Sequence, residues 1–167
     1  MDNLKYAAIP DEKDERDYCF EALGTSPITQ QDWEKGYDIE KEMGQKLLPV
    51  KNQGFSLSCV GQAFAYYVQV LNKYIEVSAK SIYSLIALGE NRGAYLRDGA
   101  KSVNNLGALW EDFLSSYNDQ GVPTQQYLYD DSWFNEDTKR LMKELKSSEY
   151  YTVTNKTMDG YAKAIRD

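Results

Sequence analysis

Cys59 and Gln53 lie six residues apart, and their residue types could together support thiol chemistry. From position 60 onward, apolar residues recur at the spacing of a helix with one buried stripe: Val60, Ala63, Phe64, Tyr67, Val68 and Leu71. Cys59 is therefore expected in the first helical turn. There, the free backbone N–H groups and the helix dipole favour a thiolate, which is the ionisation state of a nucleophile.

The residues before this helix are predicted to form a loop and a helix cap, with Asn52 and Gly54 in the loop and Ser56 or Ser58 as the cap. On the loop side, the side-chain amide of Gln53 could fold back beside the thiol of Cys59. An amide donor and the Cys59 backbone N–H would then make an oxyanion hole. The segment thus predicts a nucleophile with two hydrogen-bond donors beside it.

The pattern Gln53-Gly54-x-x-x-Ser58-Cys59, followed by an amphipathic helix, resembles the active-site segment of papain-family cysteine peptidases. The resemblance implies that Cys59 is the nucleophile and that Gln53 is the oxyanion donor. Two departures accompany it. Val-Gly-Gln follows the cysteine where the family usually has Trp-Ala-Phe, and Ser56 stands where the family usually has a further cysteine.

The chain contains no histidine. A papain-type site passes the proton of the thiol to an imidazole and later returns it to the leaving amine. In that family the histidine and its asparagine partner come from the second half of the fold, and neither can be assigned in this chain. Without an imidazole, we expect only modest activation of the thiol and no efficient peptidase activity.

Further along the chain, the patterns predict helices at 31–35, 78–89, 106–117, 136–145 and 157–165, and strands at 47–50 and 150–154. Residues 90–105 are predicted to form a loop. Residues 121–129 resemble a passage that follows a helix in the papain family, and the same resemblance implies that Gly107 lines the substrate cleft. We expect the three tryptophans to be packing anchors, and Cys19 to be an ordinary residue of the N-terminal arm.

These features predict a mainly helical α+β fold that resembles the left, helical domain of the papain-like fold, with the second, β-rich domain truncated or absent. The expected division is an irregular arm at 1–45, the helical domain at 46–148 and the start of a second domain at 149–167. The resemblance covers roughly residues 47–167, and the order of its elements follows the family's order.

The bulk composition narrows the functional classes. Apolar residues make up 42% of the 167 residues, which suits one domain with a core. The net charge of −7 and the lack of a basic run argue against binding of nucleic acid as a partner.

No apolar run reaches ~18 residues, so no membrane span is expected. The charged N-terminus predicts a cytoplasmic protein without a signal peptide. Two cysteines and no histidine offer too few ligands for zinc, and no metal or cofactor is expected. In a reducing compartment both cysteines should be free thiols.

Three functional hypotheses remain open at this point. The first is the N-terminal half of a papain-like cysteine peptidase that acts on peptides, with its histidine and asparagine on a continuation of the chain. The second is a short protein, viral in the sense of coming from a phage or a mobile element, that keeps the helical half as an inactive scaffold for binding another protein. The third is a cysteine enzyme whose base comes from a partner or from another side chain. A half-fold would expose an apolar face, which predicts a homo-oligomer or a partner domain.

Overall fold

The computed structural model describes residues 7–44, 46–73 and 75–166. The chain divides into two compact units, one formed by residues up to 12 together with 47–148, the other by 13–46 together with 149–167. Of the irregular arm expected at 1–45, residues up to 12 thus belong to the first unit and residues from 13 onward to the second. The assignment of 149–167 as the start of a second domain stays a prediction.

Short helices dominate the chain, which confirms the predicted mainly helical α+β class. In chain order the elements are β1 (Ala8–Ile9), a 3-10 helix (Phe20–Leu23), α1 (Gln30–Lys35), α2 (Ile39–Met43), α3 (Cys59–Leu71), α4 (Lys80–Ile86), β2 (Ala94–Tyr95), α5 (Leu96–Asn105), α6 (Gln125–Tyr129), α7 (Glu136–Met142) and α8 (Met158–Arg166). The two strands are parallel, with Ala8 beside Ala94. None of the helices in the described ranges is long and apolar enough to cross a membrane.

The core of the first unit lies where α3, α4 and α5 pack together. Its buried apolar side chains come mainly from these helices and the segments between them: Val60, Ala65, Val68, Val77, Ala79, Ile82, Ile86, Ala94, Val103, Ala108 and Leu145. Two glycines allow the close approach. A Cβ on Gly61 would lie 2.5 Å from the Cβ of Tyr83, and a Cβ on Gly99 would lie 2.4 Å from the Phe64 ring. The helix that begins at Cys59 is thus held tightly against its two neighbours.

Helix α3 occurs where the apolar spacing predicted it, but its buried face differs from the predicted stripe. Val60 and Val68 are buried as expected, whereas Tyr67 and Leu71 are 40% and 51% exposed. Two glutamines are buried instead, and each makes a side-chain hydrogen bond that offsets part of the loss of water. Gln69 Oε1 accepts from the Val77 N–H at 3.4 Å, and Gln62 Nε2 donates to Ser58.

The predicted helix at 106–117 is wrong, and the predicted loop at 90–105 contains helix α5 instead. Gly107 has a φ of +93°, which a helix does not use, and Ala108 and Trp110 form isolated bridges to Leu145 and Val77. Residues 107–110 are therefore extended, and a turn follows at 111–113. Helix α5 escaped prediction because its buried face consists mostly of small residues: Gly99, Ala100, Ser102 and Val103.

The other predicted elements agree in part. Helices occur near 31–35, 78–89, 136–145 and 157–165, although α4 and α7 are shorter than predicted. Residues 47–50 form no strand, and from 150–154 only Thr152 pairs, in an isolated parallel bridge with Cys19.

The second unit joins its two chain segments by polar contacts. The carboxylate of Glu21 accepts hydrogen bonds from the backbone N–H groups of Thr154 and Asn155 and from the Thr154 hydroxyl. Trp33 is 44% exposed, contrary to its expected role as a packing anchor, and its indole N–H donates to Asp159 at 3.1 Å.

Candidate active site

Cys59 is the first residue of α3, and its half-buried side chain is a free thiol packed against the core. The helix's first internal bond runs from the Gln62 N–H to the Ser58 carbonyl at 2.9 Å. The backbone N–H groups of Cys59, Val60 and Gly61 therefore precede the helical ladder, and none of them has an acceptor among the residues that the structure describes. These donors give the helix N-terminus its partial positive charge, next to the sulfur.

Ser58 occupies the N-cap position, but the predicted cap by Ser56 or Ser58 is wrong because neither hydroxyl bonds to the first-turn N–H groups. The Ser58 hydroxyl lies 2.6 Å from the Ser56 hydroxyl and accepts from Gln62 Nε2 at 3.3 Å. Ser56 donates its own hydroxyl hydrogen to the Gln53 carbonyl at 2.7 Å. The Ser58 hydroxyl must therefore be the donor to Ser56, which fixes the direction of a buried chain from Gln62 to Gln53.

Gln53 and Ser56 hold each other in place. The Ser56 N–H and hydroxyl both donate to the Gln53 carbonyl, and the Gln53 side-chain amide donates back to the Ser56 carbonyl at 3.1 Å. An amide nitrogen carries two hydrogens, so one N–H of Gln53 remains for another acceptor. The sharp turn between them uses Gly54, whose φ is +56° and whose N–H donates to Asn52 Oδ1. The loop thus carries the predicted donor in an ordered position.

A buried ion pair fixes the start of this loop. Lys51 Nζ lies 2.9 Å from Glu111 Oε2, and the two side chains are only 6% and 11% exposed. The same carboxylate accepts from the Ser116 N–H and from the Ser116 hydroxyl, and that hydroxyl in turn accepts from the Ala79 N–H at 2.7 Å. Every charged atom of the pair thus has a partner, which offsets the cost of burying the charges. Through these contacts the pair ties the loop to the 106–117 segment and to the start of α4.

Gln125 fixes the other end of the loop. Its Oε1 accepts from the Leu57 N–H at 2.7 Å, and its Nε2 donates to the Tyr83 hydroxyl at 3.0 Å and to the Glu90 carbonyl at 2.6 Å. No sequence pattern indicated this residue, because its partners are distant in the chain. Burial raises the pKa of Tyr83, the hydrogen bond from Gln125 opposes this, and the charge of nearby Cys59 raises it further.

Gly107 has a packing role in this structure. It is buried, and a Cβ at this position would lie 1.9 Å from the Met142 carbonyl oxygen, so no other residue fits. The expected role of Gly107 in lining a substrate cleft stays a prediction, as do the roles of Cys59 and Gln53. Chemically, the described residues provide a thiol beside uncapped backbone donors and, on the preceding loop, an ordered amide. No side chain among them forms a hydrogen bond or an ion pair with the Cys59 sulfur.

Comparison with solved structures shows a similar fold. Xylellain, a cysteine protease from Xylella fastidiosa, matches this chain with a TM-score of 0.66 and 21% sequence identity over 96% of this chain. The match covers 62% of the xylellain chain, so this chain spans less than two thirds of that protein. No family model and no curated protein matches this chain. At this identity the similarity establishes the fold, which is mainly helical like the matching part of a bacterial cysteine protease.

Proposed function

We propose that this chain carries the nucleophile half of a papain-like cysteine peptidase, with peptides as substrates. Cys59 is the nucleophile, and Gln53 Nε2 and the Cys59 backbone N–H are the oxyanion donors. The general base is an imidazole that these 167 residues do not contain, since the chain has no histidine. A partner domain or a further part of the protein therefore has to supply the imidazole.

The position of Cys59 at an uncapped helix start carries this proposal. An ordinary helix would use the Ser58 hydroxyl as a cap, yet here that hydroxyl bonds to Ser56 and leaves the N–H groups beside the thiol unpaired. Unpaired donors next to a sulfur suit a thiolate and, later, an oxyanion. The fold shared with a cysteine protease agrees with this assignment.

The reaction would follow the chemistry of thiol peptidases. The thiolate attacks the carbonyl carbon of the scissile bond, forming a C–S bond, while the carbonyl oxygen becomes an oxyanion held by the two donors. The C–N bond then breaks, and the imidazolium returns its proton to the leaving amine. Water, deprotonated by the imidazole, cleaves the thioester, and the thiol is regenerated.

Reversible binding of a peptide aldehyde tests the donors without requiring a histidine. The aldehyde adds to the Cys59 sulfur and forms a hemithioacetal, whose oxygen occupies the oxyanion position. Gln53→Ala should weaken binding about tenfold, which corresponds to the loss of one hydrogen bond of ~1.4 kcal/mol. Gln126→Ala, which truncates an exposed amide elsewhere, should leave binding unchanged. Equal affinity in both variants, or an adduct that survives in Cys59→Ser, would reject the assignment.

The lack of histidine favours a second candidate function, an inactive scaffold that binds another protein. Large apolar side chains on the loop before Cys59 are strongly exposed, with Phe55 at 101% and Val50 at 77%. A scaffold would use such side chains as contacts and would not need the thiol. Cys59→Ala should then retain the protein's biological effect, whereas Phe55→Ala should reduce it. Loss of the effect in Cys59→Ala alone would exclude the scaffold.

A further inference from the structure

We propose that Gln125 is the positioning residue of this site, holding the Leu57 peptide so that Gln53 and the Cys59 N–H converge on one oxygen. This inference rests on the proposed thiol chemistry, because a positioning role requires donors to position. Gln125 itself touches neither the thiol nor Gln53, and it acts through the loop that joins them.

The hydrogen bonds of Gln125 leave its amide no freedom. Both N–H hydrogens are used, one on the Tyr83 hydroxyl and one on the Glu90 carbonyl, and the oxygen accepts from the Leu57 N–H. The amide cannot be flipped, because a nitrogen facing the Leu57 N–H would set donor against donor. A side chain with three partners in three different segments has one rotamer and one orientation.

The position of Leu57 makes this contact important for the site. Leu57 lies between Ser56 and Ser58, the two residues whose hydroxyls form the chain to Gln53. Its N–H belongs to the peptide unit that follows Ser56, whose carbonyl receives the Gln53 side-chain amide. That carbonyl and the Leu57 N–H are the two ends of the same peptide plane, so holding one fixes the direction of the other.

The second partner of Gln125 connects the loop to helix α3. The Tyr83 hydroxyl accepts from Gln125 and donates to the Arg92 carbonyl at 3.1 Å, so this ring is fixed at its tip. At its base, Tyr83 packs against Gly61, where an added Cβ would lie 2.5 Å away. Tyr83 therefore contacts both parts of the site. Through Gln125 it holds the loop that carries Gln53, and through Gly61 it packs against the first turn of the Cys59 helix.

The decisive experiment compares Gln125→Met, which keeps the side chain's length without its hydrogen bonds, with Gln126→Met at the exposed neighbouring position. Both are made in the full chain with Cys19→Ser, so that only Cys59 reacts. Two readouts are measured: the pH profile of Cys59 alkylation by iodoacetamide and the dissociation constant of a peptide aldehyde. We expect Gln125→Met to weaken aldehyde binding about tenfold and to move the alkylation profile to higher pH, with no change in Gln126→Met.

A third variant separates positioning from stability. Val103→Ala truncates a buried core side chain of α5 and should lower the unfolding temperature without affecting either readout. If Val103→Ala and Gln125→Met change the readouts equally, Gln125 has only a structural role. If Gln125→Met does not fold, Gln125→Asn replaces it, since this amide is one methylene too short to reach three partners and should move both readouts in the same direction.

The outcomes distinguish the two proposals. If Cys59 of the parent chain is alkylated with the same pH profile in the folded state and in denaturant, the fold does not activate the thiol. Both the proposed function and the positioning role are then rejected. If the thiol of the parent is activated and the parent binds the aldehyde, but a folded Gln125 variant gives the same two readouts as Gln126→Met, the positioning role alone is rejected.

Discussion

The hydroxyl groups of Ser56 and Ser58 lie 2.6 Å apart. Ser58, at the N-cap of α3, therefore hydrogen-bonds to Ser56 and leaves the helix without a side-chain cap. The energetic consequences differ from those of a normal cap. A cap serine stabilises a helix by accepting hydrogen bonds from backbone N–H groups. Ser58 instead stabilises the fold by completing a buried series of hydrogen bonds that runs from Gln62 to Gln53.

Replacing Ser58 with alanine should lower the free energy of unfolding by about 1–3 kcal/mol, measured by urea denaturation. The reason is Gln62, a buried side chain whose Oε1 already lacks a partner among the described residues and whose Nε2 would lose its acceptor. The exposed Ser148→Ala serves as control and should stay within about 0.5 kcal/mol of the parent. An equal, small loss in both variants would mean that the serine chain adds nothing.

Replacing Glu111 with glutamine should destabilise the first unit by about 3–5 kcal/mol, because it leaves the buried Lys51 charge unpaired. Adding Lys51→Met removes that charge, and the glutamine oxygen can still accept from Ser116. The double variant should therefore recover most of the loss. Chemical denaturation of the parent, the single variants and the double variant completes a thermodynamic cycle, and additive losses would contradict a coupled pair.

Replacing Gly61 with alanine should destabilise the chain, although the same change usually stabilises a helix by about 1 kcal/mol. The new Cβ would lie 2.5 Å from the Cβ of Tyr83 and 3.1 Å from the Ala79 carbonyl oxygen, so α3 and α4 would have to separate. We expect a net loss of about 1–3 kcal/mol in thermal unfolding. Ala63→Gly, the reverse change at an exposed position of α3, controls for helix propensity. A rise in melting temperature for Gly61→Ala would disprove the close packing.

The second unit should lose stability in acid through Glu21. Hydrogen bonds from the Asn155 backbone and the Thr154 side chain lower the pKa of this carboxyl from its ordinary value of 4.5 to about 2. A lowered pKa means that the contribution is complete above about pH 4.5 and disappears as the pH falls toward 2. The amide proton shifts of Thr154 and Asn155 should titrate near pH 2, and Glu21→Gln should abolish this titration. A midpoint near 4.5 would show that the contact does not persist in solution.

The sequence predicted those parts of the fold that depend on local signals. The spacing of Val60, Phe64 and Val68 predicted α3, and with it the place of Cys59 in the first helical turn. The interval from Gln53 to Cys59 indicated the candidate site, whose roles stay predictions. The helix predicted at 106–117 failed because apolar residues with helical spacing also suit a short extended segment, here 107–110, followed by a turn. There the φ of Gly107 and the bridges of Ala108 and Trp110 decide the conformation.

The remaining parts of the site depend on contacts that no local pattern records. Gln125 lies 68 residues from Leu57, and Glu111 lies 60 residues from Lys51. Neither residue differs from an ordinary surface glutamine or glutamate in the sequence. Their roles follow from the close approach of separate segments, which depends on small residues such as Gly61 and Gly99.

The two segments of the second unit, 13–46 and 149–167, are separated in the chain by 102 residues of the first unit, 47–148. Glu21 meets Thr154 across 133 residues, so these contacts form only after the ribosome has released the later segment. The entropy of closing such a loop grows only logarithmically, about 0.6 kcal/mol for each doubling of length, and affects the final stability little. Its main effect is on the order of folding. During synthesis, the segment 13–46 is made before the segment 149–167 that it contacts, whereas residues 47–148, with Cys59 and its loop, can already fold.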